Sequence, residues 1–232
     1  MSDMKKGKLI VIDGADGSGK ATQAEILLKR LKKEGYKVKT LDFPQYEKNF
    51  FGGLIGQCLA GEYGDFIAID PHIVSTLYAA DRFESKPMLE KWLKQGYVVV
   101  LDRYVSANQI HQGGKIVDDR KQKAFLGWLD EMEFGVFGLP RPDGIVYLDV
   151  PLEVSDTLLK QGKKGLSVNR AAKGKIDLAE SNRKHLEDSR MSALKIVKRG
   201  NRWHRIACAP KGEMLPREAV ADQVWDIVQE II

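Results

Sequence analysis

Gly14-Ala15-Asp16-Gly17-Ser18-Gly19-Lys20-Ala21-Thr22 follows the apolar run Leu9-Ile10-Val11-Ile12 and precedes a helical pattern. A strand, a glycine-rich loop and a helix opening on lysine together make a phosphate cradle. Loop N–H groups and the helix N-terminus point at anionic oxygens, and Lys20 adds a cationic reach. The glycines let the backbone turn tightly and approach a phosphate with no Cβ in the way. The spacing G-x-x-x-x-G-K is that of a P-loop, although Ala21 stands where Ser or Thr usually follows the lysine. Thr22 comes one residue late, and a helix turns about 100° per residue, so Thr22 does not inherit that place. A strand–helix turn with no ligand has the same local form.

Outward from this loop the chain alternates. Short β-rich runs recur at Lys8–Asp13, Lys37–Phe43, Tyr97–Asp102, Gly144–Val150 and Trp203–Cys208. Between them, Ala24, Leu27, Leu28 and Leu31 form one helical stripe ended by Gly35. Met88–Leu93 reads as a short helix ended by Gly96, and Phe125, Leu126, Leu129 and Met132 form a further stripe. Pro216 opens a last helix with Val220, Val224, Ile227 and Val228 on one face. Apolar strands alternating with helices predict an α/β fold: a P-loop NTPase-type parallel sheet of about five strands, covered on both faces. Ligands on such sheets sit at the carboxyl ends of the strands.

Those ends carry the unusual residues. Asp102, closing Val98-Val99-Val100-Leu101, stands where a carboxylate would hold magnesium or its waters. Arg103 beside it can grip a phosphate bidentately. A local ion pair tying the loop is the plainer reading of the two. Tyr78 and Arg82, four apart, share one helix face. A ring that stacks and a guanidinium that donates to a carbonyl make a base platform; a core Tyr beside a surface Arg is the commoner meaning of such a pair.

The chain has 232 residues and 43% hydrophobic composition, which suits one domain over 1–232. Cys58 and Cys208 suggest no disulfide framework, and a reducing, cytoplasmic setting is expected. No signal peptide and no run near the ~20 apolar residues of a membrane span is visible. The formal charge of +5 is compatible with phosphate ligands. The basic residues form no compact stripe with interleaved aromatics, so no nucleic-acid partner is expected.

In conjunction, these segments resemble the thymidylate kinase family, which phosphorylates dTMP with ATP. The matching pieces are Gly14–Gln23, Phe43-Pro44-x-Tyr46, Tyr78-Ala79-Ala80-Asp81-Arg82-Phe83, Asp102-Arg103-Tyr104 with Asn108, Leu139-Pro140-x-Pro142-Asp143 and Leu148-Asp149-Val150-Pro151. The resemblance implies that Gly14, Ala15, Asp16, Gly17, Ser18, Gly19, Lys20, Ala21 and Thr22 hold ATP, with Lys20 on the transferring phosphate. It places Asp16 toward the sugar 3′-hydroxyl and the reaction centre. Phe43 and Tyr46 would border the dTMP phosphate and sugar, and Arg103 would bind that phosphate. Tyr78 would stack on thymine, Arg82 would reach its O4, and Asn108 another edge of the base. His111 and Gln112 fall near the sugar 2′ position. The resemblance also implies a homodimer. Mg2+ is the expected cofactor, held with ATP; because of Ala21 it would rely on phosphate oxygens, water and Asp102.

The segment 160–175 carries Lys160, Lys163, Lys164, Arg170, Lys173 and Lys175 and no acid. It reads as a short mobile lid closing over phosphates, or as a solvated basic loop. Some thymidylate kinases carry an arginine inside the P-loop; this loop has none, so Arg170 is the expected catalytic cation. Asp177 and Glu180, three apart, resemble carboxylates that relatives place after the lid, where they could serve a metal; first-turn helix acids explain them equally. Another nucleoside monophosphate or deoxynucleoside kinase, or a non-catalytic P-loop protein, remains the alternative.

Overall fold

A computed structural model describes residues 6–161, 179 and 182–232, with side chains left out at 159–161. Among these, one parallel sheet runs in the order β2-β3-β1-β4-β5. The strands are β1 Lys8–Gly14, β2 Val38–Asp42, β3 Val98–Asp102, β4 Gly144–Asp149 and β5 Trp203–Ala207. Each lies within a run expected from the sequence or ends one residue past it. The helices are α1 Lys20–Lys33, α2 Phe50–Leu59, α3 Pro71–Lys94, α4 Val105–Gly114, α5 Asp119–Asp130, α6 Leu152–Gln161, α7 Arg183–Arg199 and α8 Arg217–Ile231. A π-helical turn, Glu131–Val136, continues α5.

Strand periodicity explains the layers. Alternate β1 side chains point to opposite faces. Ile10 and Ile12 meet α1 and α8 through Leu27, Leu31, Val220 and Val224. Leu9 and Val11 face the other way, with Val99, Leu101 and Leu89. Burial on both faces is why β1 reads as a continuous apolar run. β1 pairs with β3 on one side and β4 on the other, in register Ile12↔Asp102 and Gly14↔Leu148. The strand order reverses here, so the glycine loop leaves the sheet at its crevice.

Met88–Leu93 is not a separate helix. It is the last part of α3, which runs from Pro71 to Lys94 with Pro87 inside it. A helix interior loses one hydrogen bond at a proline. Here the Asp70 cap, accepting from the His72 N–H at 2.8 Å, and the buried residues Val74, Ala79, Arg82 and Leu89 hold the helix through that defect. The long α3 therefore puts Tyr78, Asp81 and Arg82 on one rigid rod.

Candidate active site

The glycine loop has the backbone that its glycines permit. Gly14, Gly17 and Gly19 have φ of 154°, 77° and 89°. A Cβ on Gly14 would come within 2.7 Å of the Leu148 carbonyl oxygen and of Ser18 Oγ. Gly19 caps α1 in the left-handed region with no side-chain cap, which leaves the first-turn N–H groups to an anion. Lys20 is buried; its Nζ donates to the Ala15 carbonyl at 2.8 Å and lies 3.5 Å from Asp16 Oδ1.

Asp16 joins this loop to the end of β3. It is ion-paired with Arg103, whose own φ of 64° puts a non-glycine residue in the left-handed region. Such a conformation costs about 1–3 kcal/mol and concentrates at functional sites. The Arg103 N–H is fixed to the Ile12 carbonyl at 3.0 Å. Burial alone would raise the Asp16 carboxyl; Arg103 and Lys20 beside it hold it well below the usual range instead. Asp16 is therefore an anion at any working pH.

Beside this junction lies a cavity of about 790 Å³, a volume that includes the solvent at its mouth. Asp16 and Arg103 form its polar end. Phe43, Tyr46, Tyr78, Arg82, Asn108, His111 and Gln112 also line it, so every acceptor-site residue expected from the resemblance borders one cavity. Tyr78 packs near Phe66, ring centroids 6.3 Å apart. Arg82 is held rather than free: Nε donates to Glu133 Oε2 at 2.9 Å, Nη2 pairs with Glu133 Oε1, and Nη1 donates to the Tyr104 carbonyl at 3.3 Å. Asn108 Nδ2 donates to Glu133 Oε1 at 3.1 Å and to the Ser75 carbonyl at 3.2 Å. Gln112 Oε1 is buried with no hydrogen-bond partner among the described residues.

His111 has a companion that sequence reading did not name. His185 of α7 lies with its ring centroid 5.7 Å away. Burial, then His185 and Arg103, lower His111 to about 3, and burial with Lys115 nearby lowers His185 to about 4. Both are neutral near neutrality. Three further residues were missed. Glu133 is fully buried beneath Arg82 and Asn108; its only trace in sequence is one acid within the run Met132-x-Phe134-x-Val136-Phe137. Asp81 accepts from the Gln45 N–H at 3.1 Å and from Asn49 Nδ2 at 2.9 Å, fastening the loop of Phe43 and Tyr46 to α3. Asp13, fully buried, accepts from the Gly14 N–H at 2.8 Å and from Ser106 Oγ at 2.5 Å. Burial raises its carboxyl, against the pull of Ser106, Arg103 and Lys20.

Asp102 Oδ1 and Ser18 Oγ are buried with no partner among the described residues. Unsatisfied oxygens at the strand end and in the loop suit a hard cation such as Mg2+. That ion keeps several waters and phosphate oxygens and needs few protein ligands; among the described residues no group of three or more His, Cys, Asp or Glu could cage a metal. Arg170, Asp177 and Glu180, and nearly all of 160–175, lie outside the described residues.

A phosphate loop at the crevice of a parallel sheet, facing a second pocket across one Asp–Arg pair, sets the chain among P-loop nucleotide-binding proteins. The comparisons narrow this class. A family model for thymidylate kinase matches residues 12–218. A thymidylate kinase of Mycobacterium tuberculosis (strain ATCC 25618 / H37Rv) is 36% identical over 148 residues, 63% of this chain and 68% of its own. One from Thermomicrobium roseum is 30% identical over 241 aligned positions, 96% of this chain and 95% of its own. A solved thymidylate kinase from Candida albicans shares the fold, with TM-score 0.71 at 24% identity over 97% of this chain and 92% of that one. The chain belongs to the thymidylate kinase family.

Proposed function

We propose that the chain transfers the γ-phosphoryl group of ATP to dTMP, giving dTDP for dTTP synthesis. The observation that carries this reading is the junction at Asp16–Arg103, where the phosphate loop and the aromatic–arginine pocket meet. A donor on the loop and an acceptor in the pocket would present their phosphates to each other there. Lys20 and the loop N–H groups would grip the ATP phosphates, and Arg103 the dTMP phosphate, with Asp16 against the sugar 3′-hydroxyl. Phosphoryl transfer needs little covalent help from a protein; positioning and charge stabilisation do most of the work. Tyr78 would stack on thymine, Arg82 donate to O4 and Asn108 meet N3, while His111 and Gln112 close the sugar side. Asp102 would hold Mg2+ or its waters, and the ion would neutralise phosphate charge. Asp177 and Glu180 are further candidates for it.

The reading extends to the whole molecule: one domain over 1–232, a basic lid over 160–175 supplying Arg170, a homodimer, and a cytoplasmic setting. No helix among the described residues is long and apolar enough to cross a membrane. The deciding experiment is coupled ADP release with Mg-ATP and dTMP, dUMP, UMP, CMP, AMP or thymidine as acceptor. Fastest turnover with dTMP is expected; a preference for AMP, CMP or thymidine would replace this reading with that of another nucleotide or nucleoside kinase.

A further inference from the structure

Glu133 takes no part in the chemistry above, yet its carboxylate is fully buried between two groups that line the base pocket. It accepts from Arg82 Nε and Nη2 and from Asn108 Nδ2. The Asn108 amide also donates to the Ser75 carbonyl at 3.2 Å. Both partners of that nitrogen are pure acceptors, so only one orientation of the amide satisfies them. Its two N–H groups are spent, and Oδ1 is the atom left for a ligand. Arg82 has no acceptor to offer. The pocket therefore presents a donor from Arg82 beside an acceptor from Asn108.

We propose that Glu133 is a positioning residue that locks this donor–acceptor polarity and thereby sets the choice of pyrimidine. The inference rests on the base-site reading above. Thymine and uracil carry an acceptor at O4 and a donor at N3–H, which match. Cytosine carries the reverse, an amino donor at C4 and an unprotonated N3. To accept cytosine, Asn108 would have to turn its amide, which puts Oδ1 against the Glu133 carboxylate and the Ser75 carbonyl. Facing two buried acceptors with a third leaves groups unpaired and is strongly disfavoured. The π-helical turn Glu131–Val136 carries Glu133 into this position, an instance of such turns at functional sites.

The test compares dTMP with 5-methyl-dCMP, which keeps the methyl group and differs at C4 and N3. A site built on hydrogen bonds to its substrate should prefer dTMP in kcat/KM by about 10³-fold or more in the wild type. In Glu133→Gln an NH2 standing where Oε1 was can no longer accept from Asn108 or from Arg82 Nη2, while the amide oxygen keeps Arg82 Nε, and the lock is released. The dTMP:5-methyl-dCMP ratio should then fall by about tenfold or more, mainly through a raised KM for dTMP, with the KM for ATP unchanged. An unchanged ratio, with both acceptors losing equally, would show that Glu133 serves only stability and would overturn the inference. A wild type that does not discriminate would instead remove the base-site reading, and the inference with it. If Glu133→Gln does not fold, Glu133→Asp takes its place. It keeps the charge but is one methylene short of spanning Arg82 and Asn108, so its ratio must also fall; an unchanged ratio there is equally fatal.

Discussion

Lys20 is buried and His111 half-buried beside the Asp16–Arg103 pair, and they separate chemistry from folding. Lys20 reaches out of the first turn of α1 and is satisfied by the Ala15 carbonyl alone and a distant Asp16 contact. Lys20→Ala leaves no buried acceptor in need of it, because Asp16 keeps Arg103. Turnover should fall by roughly 10²–10³, the usual loss for one preorganised charge at a transferring group, with an unchanged melting curve. Undiminished dTDP formation would refute the loop's role. His111 tests the opposite. Its folded value of about 3, and that of about 4 for His185, lie below the ordinary 6.5. Between about pH 4 and pH 6.5 the unfolded chain binds protons that the folded chain refuses, so stability falls as pH drops through that window. Asp16, with its lowered carboxyl, loses its contribution only at more acid pH. The melting temperature should decline from pH 6.5 to pH 4, and less steeply in His111→Gln; identical slopes would show that His111 is not held neutral by the fold.

α3 works as a ruler along which the proposed acceptor site is laid out. Tyr78 contributes the ring, Asp81 ties down the loop of Phe43 and Tyr46, and Arg82 is clamped by the π-helical turn. Arg82→Ala is consequently a poor probe of base binding. It would leave the Glu133 charge buried without its partner, at a cost of about 3–5 kcal/mol in stability, before any effect on dTMP is read. Tyr78→Ala is cleaner, since it removes stacking and no buried charge. It should weaken dTMP binding by about 1–3 kcal/mol in calorimetry, as for other base–aromatic platforms; full affinity would remove the platform. The lid proposed over 160–175 carries the most mechanistic content. Gly17 and Ser18 stand where some relatives carry a loop arginine, so Lys20 is the loop's only side-chain cation. Arg170→Ala should lower kcat by on the order of 10²–10³ while dTMP affinity holds. Full kcat would move the role to Lys163, Lys164 or Lys173, and full activity in all four variants would end the lid mechanism.

For the molecule as a whole, what the sequence disclosed followed chain contiguity. Leu9–Ile12 and Val98–Leu101 read as strands because both faces of each are buried, and Gly14–Lys20 read as a phosphate loop because one continuous stretch holds all its parts. The clamp on Arg82 did not, since Glu133 is 51 residues away along the chain and a buried acid looks like any other until its partners are found. Pro87 hid the length of α3 because local propensity cannot see the packing that outweighs it. The proposed homodimer would be a property of the same kind, formed on a surface assembled from distant segments. Phe83 of α3 is 48% exposed and packs on Phe137, ring centroids 5.2 Å apart. Val136 beside it is 72% exposed. Phe50 is 74% exposed and is held near the same stretch of α3, its N–H donating to Glu84 Oε1 at 3.1 Å. Large apolar side chains gathered in this way mark association sites more often than isolated ones do. A two-fold dimer would bury the patch against its own copy. Placing a carboxylate in the centre of that contact leaves it desolvated and unpaired, whereas in a monomer the same side chain points into water. Phe83→Asp should therefore fold normally and sediment at half the mass of the wild type at micromolar concentration. A variant that sediments with the wild type would mean that any dimer forms through another face.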